Sequence, residues 1–131
     1  MKYLLDTNIC IYYMKGLFDL DKKINKIGSE NCYISEITLA ELKFGVENSE
    51  RKNKNKKALD IFLNGITIIP IYNSLDFYAS EKARLRKNGN TVDDFDLLIG
   101  ASAVSNNMIL VTNNLKHFKH IKKIEIQDWT Q

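Results

Sequence analysis

Cysteine is scarce in this chain. Cys10 and Cys32 are the only two in 131 residues, and no Cys-x-x-Cys pair exists. That excludes a secreted disulfide framework, and both are read as core thiols. Proline occurs once, at Pro70, and no apolar run is long enough to span a bilayer. Near the N-terminus, Asp6 and Asn8 interrupt what would otherwise resemble a signal-peptide core. The expected compartment is therefore the cytoplasm. Charge of one sign is not in large excess: 19 basic against 16 acidic residues give +3, which permits an anionic partner without demanding one. Hydrophobic residues at 44% and charged residues at 27% are values of a globular chain. A chain of this size exposes about 7,100 Å² folded against about 21,900 Å² unfolded, enough for one domain (1–131) with an ordinary core.

Short β-branched runs alternate with longer amphipathic ones. The strand candidates are Lys2–Asp6, Cys32–Ser35, Thr67–Ile71, Met108–Thr112 and Lys123–Ile126. The helix candidates are Asn8–Lys15, Leu17–Ile27, Thr38–Asn48, Lys56–Leu63, Leu75–Lys87 (with Ser74 as its N-cap) and Asp96–Ser105. This alternation predicts an α/β fold with a mostly parallel sheet. Pro70 falls inside the third strand candidate, where it would remove a ladder bond, so that strand is expected at an edge.

In such a sheet, helix N-termini gather at the edge where strands end, and open α/β sheets bind ligands there. Asp6 ends the first strand, Glu41 lies early in the helix after the second, and Asp96 opens the helix before the fourth. Thr112-Asn113-Asn114 leaves the end of that fourth strand. Each acid also has a plain structural role open to it. Asp6 could cap a helix. Thr38-Leu-Ala-Glu41 fits a capping box, although Ile37 and Phe44 place Glu41 on an apolar stripe. Asp96 could complement a helix dipole, but Asp93 and Asp94 would serve equally well. Converging carboxylates repel unless a divalent cation or protons intervene. Oxygen-only donors favour Mg2+ or Mn2+ over zinc.

Two basic segments could meet a polyanion: Arg51-Lys-Asn-Lys-Asn-Lys-Lys57, and Lys116-His-Phe-Lys-His-Ile-Lys-Lys123. Either could equally be a solvated face. His117 and His120 have helical spacing but no further ligands to complete a zinc site. No G-x-x-x-x-G-K-[ST] or G-x-G-x-x-G motif occurs, which excludes P-loop and dinucleotide folds. The Asp-x-Asp of haloacid dehalogenase-like phosphatases is absent, since Asn8 follows Asp6. A receiver domain's acid after the third strand is also absent, as Ile71-Tyr72-Asn73 has none.

Five segments together resemble a known family. They are Leu5-Asp-Thr-Asn-Ile-Cys-Ile-Tyr12, Ser35-Glu-Ile-Thr-Leu-Ala-Glu-Leu-Lys-Phe-Gly45, Asp94-Phe-Asp-Leu-Leu-Ile-Gly-Ala101, Leu110-Val-Thr-Asn-Asn114 with Phe118, and Glu125-Ile-Gln-Asp-Trp129. Their order and spacing are similar to those of the PIN-domain ribonuclease toxins called VapC, over the whole length. The resemblance implies a PIN-like parallel sheet of order 3-2-1-4-5 sandwiched by helices, and Mg2+-dependent endonucleolytic cleavage of RNA. It also implies a homodimer and inhibition by a VapB-type antitoxin.

Carried over residue by residue, Asp6 and Asp96 match the principal metal ligands, and Glu41 matches a third acid acting through the metal or the water. Thr112, Asn113, Asn114, Asp94 and Asn8 match supporting positions. Where the family often has a fourth acid, this chain has Asn114, whose amide adds no charge for a second metal. Relatives with this start and a Val-Thr-Asn-Asn segment tend to cut initiator tRNA in its anticodon loop. RNA contacts are expected from Arg51, Lys52, Lys54, Lys56, Lys57, Lys116 and Lys119. The helices carrying Ile9, Ile11, Tyr12 and Tyr13, and Leu39, Leu42, Phe44 and Val46, hold more apolar side chains than one sheet face buries easily. A groove for a partner helix is therefore expected, with a partner arginine reaching Asp6 or Asp96. The rival readings are a non-catalytic RNA- or protein-binding domain and a metal-dependent phosphatase.

Overall fold

Every residue from Met1 to Gln131 is described by the computed structural model of the chain. Five strands form one parallel sheet: β1 (Tyr3–Leu5), β2 (Cys32–Ser35), β3 (Thr67–Ile69), β4 (Ile109–Val111) and β5 (Ile126–Gln127). Their order, β3-β2-β1-β4-β5, is the one expected. Side-chain alternation along the strands divides the interior in two. Leu5, Cys32, Ile34 and Val111 meet the first four helices: α1 (Thr7–Met14), α2 (Leu20–Ile27), α3 (Glu36–Glu47) and α4 (Lys52–Asn64). Leu4, Ile69 and Leu110 face the other way, toward α5 (Leu75–Lys87), α6 (Asp94–Ser105) and α7 (Leu115–Phe118). Parallel strands covered on both faces read as continuous apolar runs, as β4 does. Cys10 and Cys32 are unpaired and buried, and burial pushes the Cys32 thiol up to about 11.

In α6 the residues Leu97 and Ile99 to Ala103 are all buried. Gly100 lets the turn after α7 come close, for a Cβ there would stand 2.5 Å from Ile121 Cδ1. No helix is long and apolar enough to cross a membrane.

Several boundaries differ from the sequence reading. The helix expected from Leu17 begins at Leu20, because Gly16, Phe18 and Asp19 all take positive φ in reversing the chain after α1. Helix α3 begins at Glu36 rather than Thr38, since Ser35 caps it by accepting from the Thr38 N–H at 3.1 Å. That removes the Thr38–Glu41 capping box. Helix α4 starts at Lys52, so its lysine-rich turn is itself helical. Ser74 does not cap α5: it has helical dihedrals after a 3-10 turn, and its buried Oγ has no hydrogen-bond partner. Pro70 follows β3 instead of interrupting it, so the edge strand loses no ladder bond. Phe44 is 67% exposed and shares no buried stripe with Glu41.

Candidate active site

Register assembles the site. Leu5 pairs with Val111, so the next residues on each strand, Asp6 and Thr112, are neighbours at the edge where strands end. Asp6 extends the ladder by donating its N–H to the Val111 carbonyl at 2.9 Å. Its side chain is almost fully buried, and both oxygens are engaged. Oδ1 accepts from the Thr7 N–H at 2.8 Å and Oδ2 from the Thr112 hydroxyl at 2.8 Å. Asp6 therefore does cap α1, but its second oxygen is turned toward β4. Burial raises its pKa above the ordinary carboxylate value; the Thr112 and Thr7 hydrogen bonds oppose this, and the nearby charge of Asp96 adds to it.

Asp96 sits in the first turn of α6, where the cap is Asp93, whose Oδ2 accepts from the Phe95 N–H. Since the cap is supplied, Asp96 is free for the site. Its Oδ2 lies 3.0 Å from His117 Nδ1 in α7. An ionised carboxylate can only accept, so Nδ1 carries the proton of that bond. Burial raises the Asp96 pKa; His117 opposes this, while Asp93 and Glu41 add to it.

Glu41 is half-buried on α3, and its Oε1 stands 2.6 Å from Thr7 Oγ1. Thr7 Oγ1 is also 3.1 Å from Thr38 Oγ1. Thr7 has one hydroxyl proton, which goes to the carboxylate, and the buried Thr38 hydroxyl donates back to Thr7. One threonine thus links α1 to α3 and fixes the acid.

Of the supporting residues, Thr112 is placed by two bonds: it donates to Asp6, and its Oγ1 accepts from the Asn114 N–H at 3.0 Å. Asn113 donates to the Tyr12 hydroxyl at 3.2 Å, while its buried Oδ1 has no partner. Asn114 and Asn8 are half-buried, and neither side chain makes a hydrogen bond within the chain. Asp94 does not join them. It accepts from Lys82 at 2.7 Å and Tyr78 at 2.9 Å, and its carboxyl is held below the ordinary range by these contacts. On a helix, residues two apart point in different directions, and Asp94 faces α5. His117, Thr38 and Tyr12 are the contacts that sequence reasoning missed. His117 was visible in the sequence only as part of a basic run, and it lies a single turn beyond Asn114.

No three acidic, histidine or cysteine side chains converge closely enough to cage an ion by themselves. Mg2+ does not require such a cage, since it keeps several waters and uses one or two carboxylates. Asp6 at the end of β1 and Asp96 in the first turn of α6 supply carboxylates of that kind. The unpartnered Asn113 Oδ1 beside Thr112 is a further oxygen available to a water.

The basic run divides. Lys52 pairs with Glu47 and Lys56 with Asp60, both on the surface. Lys54 instead lines a groove of about 480 Å³ with Glu41, Lys15, Ile11, Leu42 and Leu59. Arg51 precedes α4 as its N-terminal cap residue, Lys57 is exposed on α4, and Lys119 is exposed at the end of α7. A neighbouring apolar groove of about 530 Å³ runs between α1, α2 and α4, lined by Tyr13, Met14, Ile24, Ala58, Ile61 and Phe62. Of the apolar side chains expected in excess on α1 and α3, Ile9 and Leu42 are buried, Ile11, Tyr12, Tyr13, Leu39 and Val46 are half-buried, and Phe44 is exposed.

A family model described as PIN domain matches residues 3–124. Over 138 aligned residues the chain is 40% identical to Ribonuclease VapC2 of Rickettsia felis, covering 98% of each protein. Over 130 residues it is 30% identical to the tRNA(fMet)-specific endonuclease VapC of Salmonella typhimurium, again covering 98% of each. The fold superposes on a crystal structure of VapBC2 from Rickettsia felis bound to a DNA fragment from their promoter. There the TM-score is 0.92 and the identity 36%, over 98% of this chain and 99% of that one. With the sheet order, the strand-end acids and this full-length likeness in agreement, the chain belongs to the VapC family of PIN-domain proteins.

Proposed function

We propose that this protein is a Mg2+-dependent endoribonuclease toxin that cuts tRNA, with the initiator tRNA anticodon loop as its expected target, and that a VapB-type antitoxin restrains it. The observation that carries this reading is that acids from distant parts of the sequence reach one sheet edge, Asp6 bonded to Thr112 across β1 and β4 and Glu41 fixed by Thr7, the residue directly after Asp6. Full-length likeness to proteins named as ribonucleases, one of them tRNA(fMet)-specific, supports RNA as the substrate.

Asp6 and Asp96 would hold the ion, for which Mn2+ could substitute. When bound, such an ion supplies positive charge to phosphate oxygens and makes water a better nucleophile. The chain's own residues do the rest. Thr112 and the Thr7 N–H hold the Asp6 carboxylate in one orientation. Glu41, fixed by Thr7, is the group to accept a proton from the attacking water. Lys54, sharing the Glu41 groove, faces the polyanion.

The apolar grooves along α1 and α4 suit an amphipathic helix of an antitoxin. The carboxylates suit an arginine from it, whose fork binds carboxylates bidentately. The neighbouring VapBC structures support such a partner. A homodimer belongs to the same reading.

The test is tRNA cleavage by the purified protein in Mg2+ or Mn2+, with and without EDTA, and then with the antitoxin encoded beside it. Cleavage should stop in EDTA and with the antitoxin. Metal-independent RNA binding without cleavage would make this a binding domain instead. Turnover of small phosphoesters alone would make it a phosphatase.

A further inference from the structure

A polar cleft of about 420 Å³ borders Asp96 and belongs to no role described so far. One wall is the segment between α5 and α6, with Asn90, Thr91 and Asp93; the other is Lys116, His117 and His120, on α7 and just beyond it. Val92 is its one apolar lining residue. The volume is within the roughly 300–1,000 Å³ of small-ligand sites, with room for one nucleotide.

We propose that this cleft is the subsite for the nucleotide next to the cleaved bond, with Lys116 and His120 holding its phosphate and Asn90 and Thr91 facing its sugar and base. The proposal rests on the ribonuclease reading above. Charge assigns the walls. Asp93, which is not assigned to the ion, repels a phosphate, so the phosphate must lie against the Lys116 side. Lys116 takes part in no ion pair, which leaves its ammonium free for an outside anion. His117 belongs to both sites, lining the cleft while its Nδ1 bonds Asp96.

The basic wall is also held rigid from behind. Buried Glu81 on α5 accepts two 2.7 Å bonds from Arg84 and one from the Lys122 N–H, and Arg84 donates to the His120 carbonyl at 2.8 Å. A nearly buried acid spent on fixing residues 120 and 122 is what a preformed subsite needs.

The experiment compares Lys116→Ala/His120→Ala, Thr91→Trp and a charge-matched control, Lys26→Ala, with the wild type. Binding of tRNA is measured in EDTA across a salt series, and cleavage in Mg2+. The double cleft variant should bind about tenfold more weakly, with a salt slope reduced by about 0.7, the loss of one phosphate contact. Its KM should rise while kcat stays within about twofold. Thr91→Trp, which fills the cleft without changing charge, should raise KM and leave the salt slope alone. The control should change neither by more than about twofold. If the wild type cleaves tRNA and the cleft variants bind and cleave as it does, or the control loses as much as they do, the subsite is overturned. If the wild type cleaves no tRNA, the ribonuclease reading falls and the subsite with it.

Discussion

Exchanging a carboxylate for its amide is expected to have unequal consequences at the two metal-site acids. At Asp96 only one oxygen is engaged, by His117 Nδ1 at 3.0 Å, and no donor reaches the other. Burial, Asp93 and Glu41 together lift its folded pKa above the ordinary value of 3.8. A group with a raised folded pKa holds its proton more tightly in the native state. Ionising it therefore removes stability as pH climbs from the unfolded value through the folded one, and the loss persists at neutral pH. Asp96→Asn removes that cost, keeps an acceptor for His117, and places its NH2 where nothing opposes it. The expected gain is about 0.5–2 kcal/mol, as for other replacements of strained functional groups. For a chain of this length that is roughly 2–8 °C in Tm.

Asp6 differs because both of its oxygens already accept hydrogen bonds. An asparagine there must aim its NH2 at the Thr7 N–H or at the Thr112 hydroxyl. In the second case the hydroxyl must turn to accept, and its buried proton finds no other acceptor. An orphaned buried donor costs about 1–3 kcal/mol, so Asp6→Asn should lie below Asp96→Asn by about that amount. Cleavage should be lost in both. Urea unfolding in EDTA, followed by the fluorescence of the buried Trp129 beside Tyr3, measures the difference at pH 7 and again near pH 4. The advantage of Asp96→Asn should shrink at the lower pH. The reasoning is refuted if Asp96→Asn is less stable than wild type at pH 7, or if the two variants move the midpoint equally.

Glu41→Gln should change stability by no more than about 1 kcal/mol while cutting cleavage about 10²–10⁴-fold, the usual share of a general base; single-turnover cleavage of tRNA checks this. Glu81→Gln should cost about 1–3 kcal/mol at pH 7, because the Arg84 bonds hold the Glu81 carboxyl below its ordinary 4.5. A lowered folded pKa contributes stability above the unfolded value that is lost as pH falls, so variant and wild type should converge in urea unfolding near pH 3. Neutralising Lys52, Lys54, Lys56 and Lys57 should weaken tRNA binding and flatten its salt dependence. Within that set, Lys54→Gln alone should account for more of the effect than Lys52→Gln, which calorimetry of Mg2+ binding should show to be independent of the metal.

Much of the architecture was legible because it rests on local pattern. Apolar runs with period two and amphipathic runs with helical period set the strand–helix alternation, and parallel crossovers then bring the ends of β1, β2 and β4 to one edge. Asp6, Glu41, Asp96 and Thr112 could therefore be assigned to that edge from their positions in the elements alone. Pro70 could be assigned to the rim of the sheet for the same reason, although the strand stops one residue before it.

What tertiary structure decided is which of several similar groups takes which partner. Three acids open α6, and the sequence treats Asp93 and Asp94 as equal candidates for the cap. In the fold Asp93 caps, Asp94 pairs with Lys82 on α5, and Asp96 is left to meet His117. Glu41 lost its local capping box to a threonine 34 positions away in sequence, once Ser35 had taken the Thr38 N–H. The start of α2 depended on how residues 16–19 reverse the chain, which their amphipathic pattern does not encode. Periodicity acts through the chain's own backbone and can be read residue by residue. Hydrogen-bond and charge partners are chosen by distance across the sheet edge, and those distances exist only after the elements have docked.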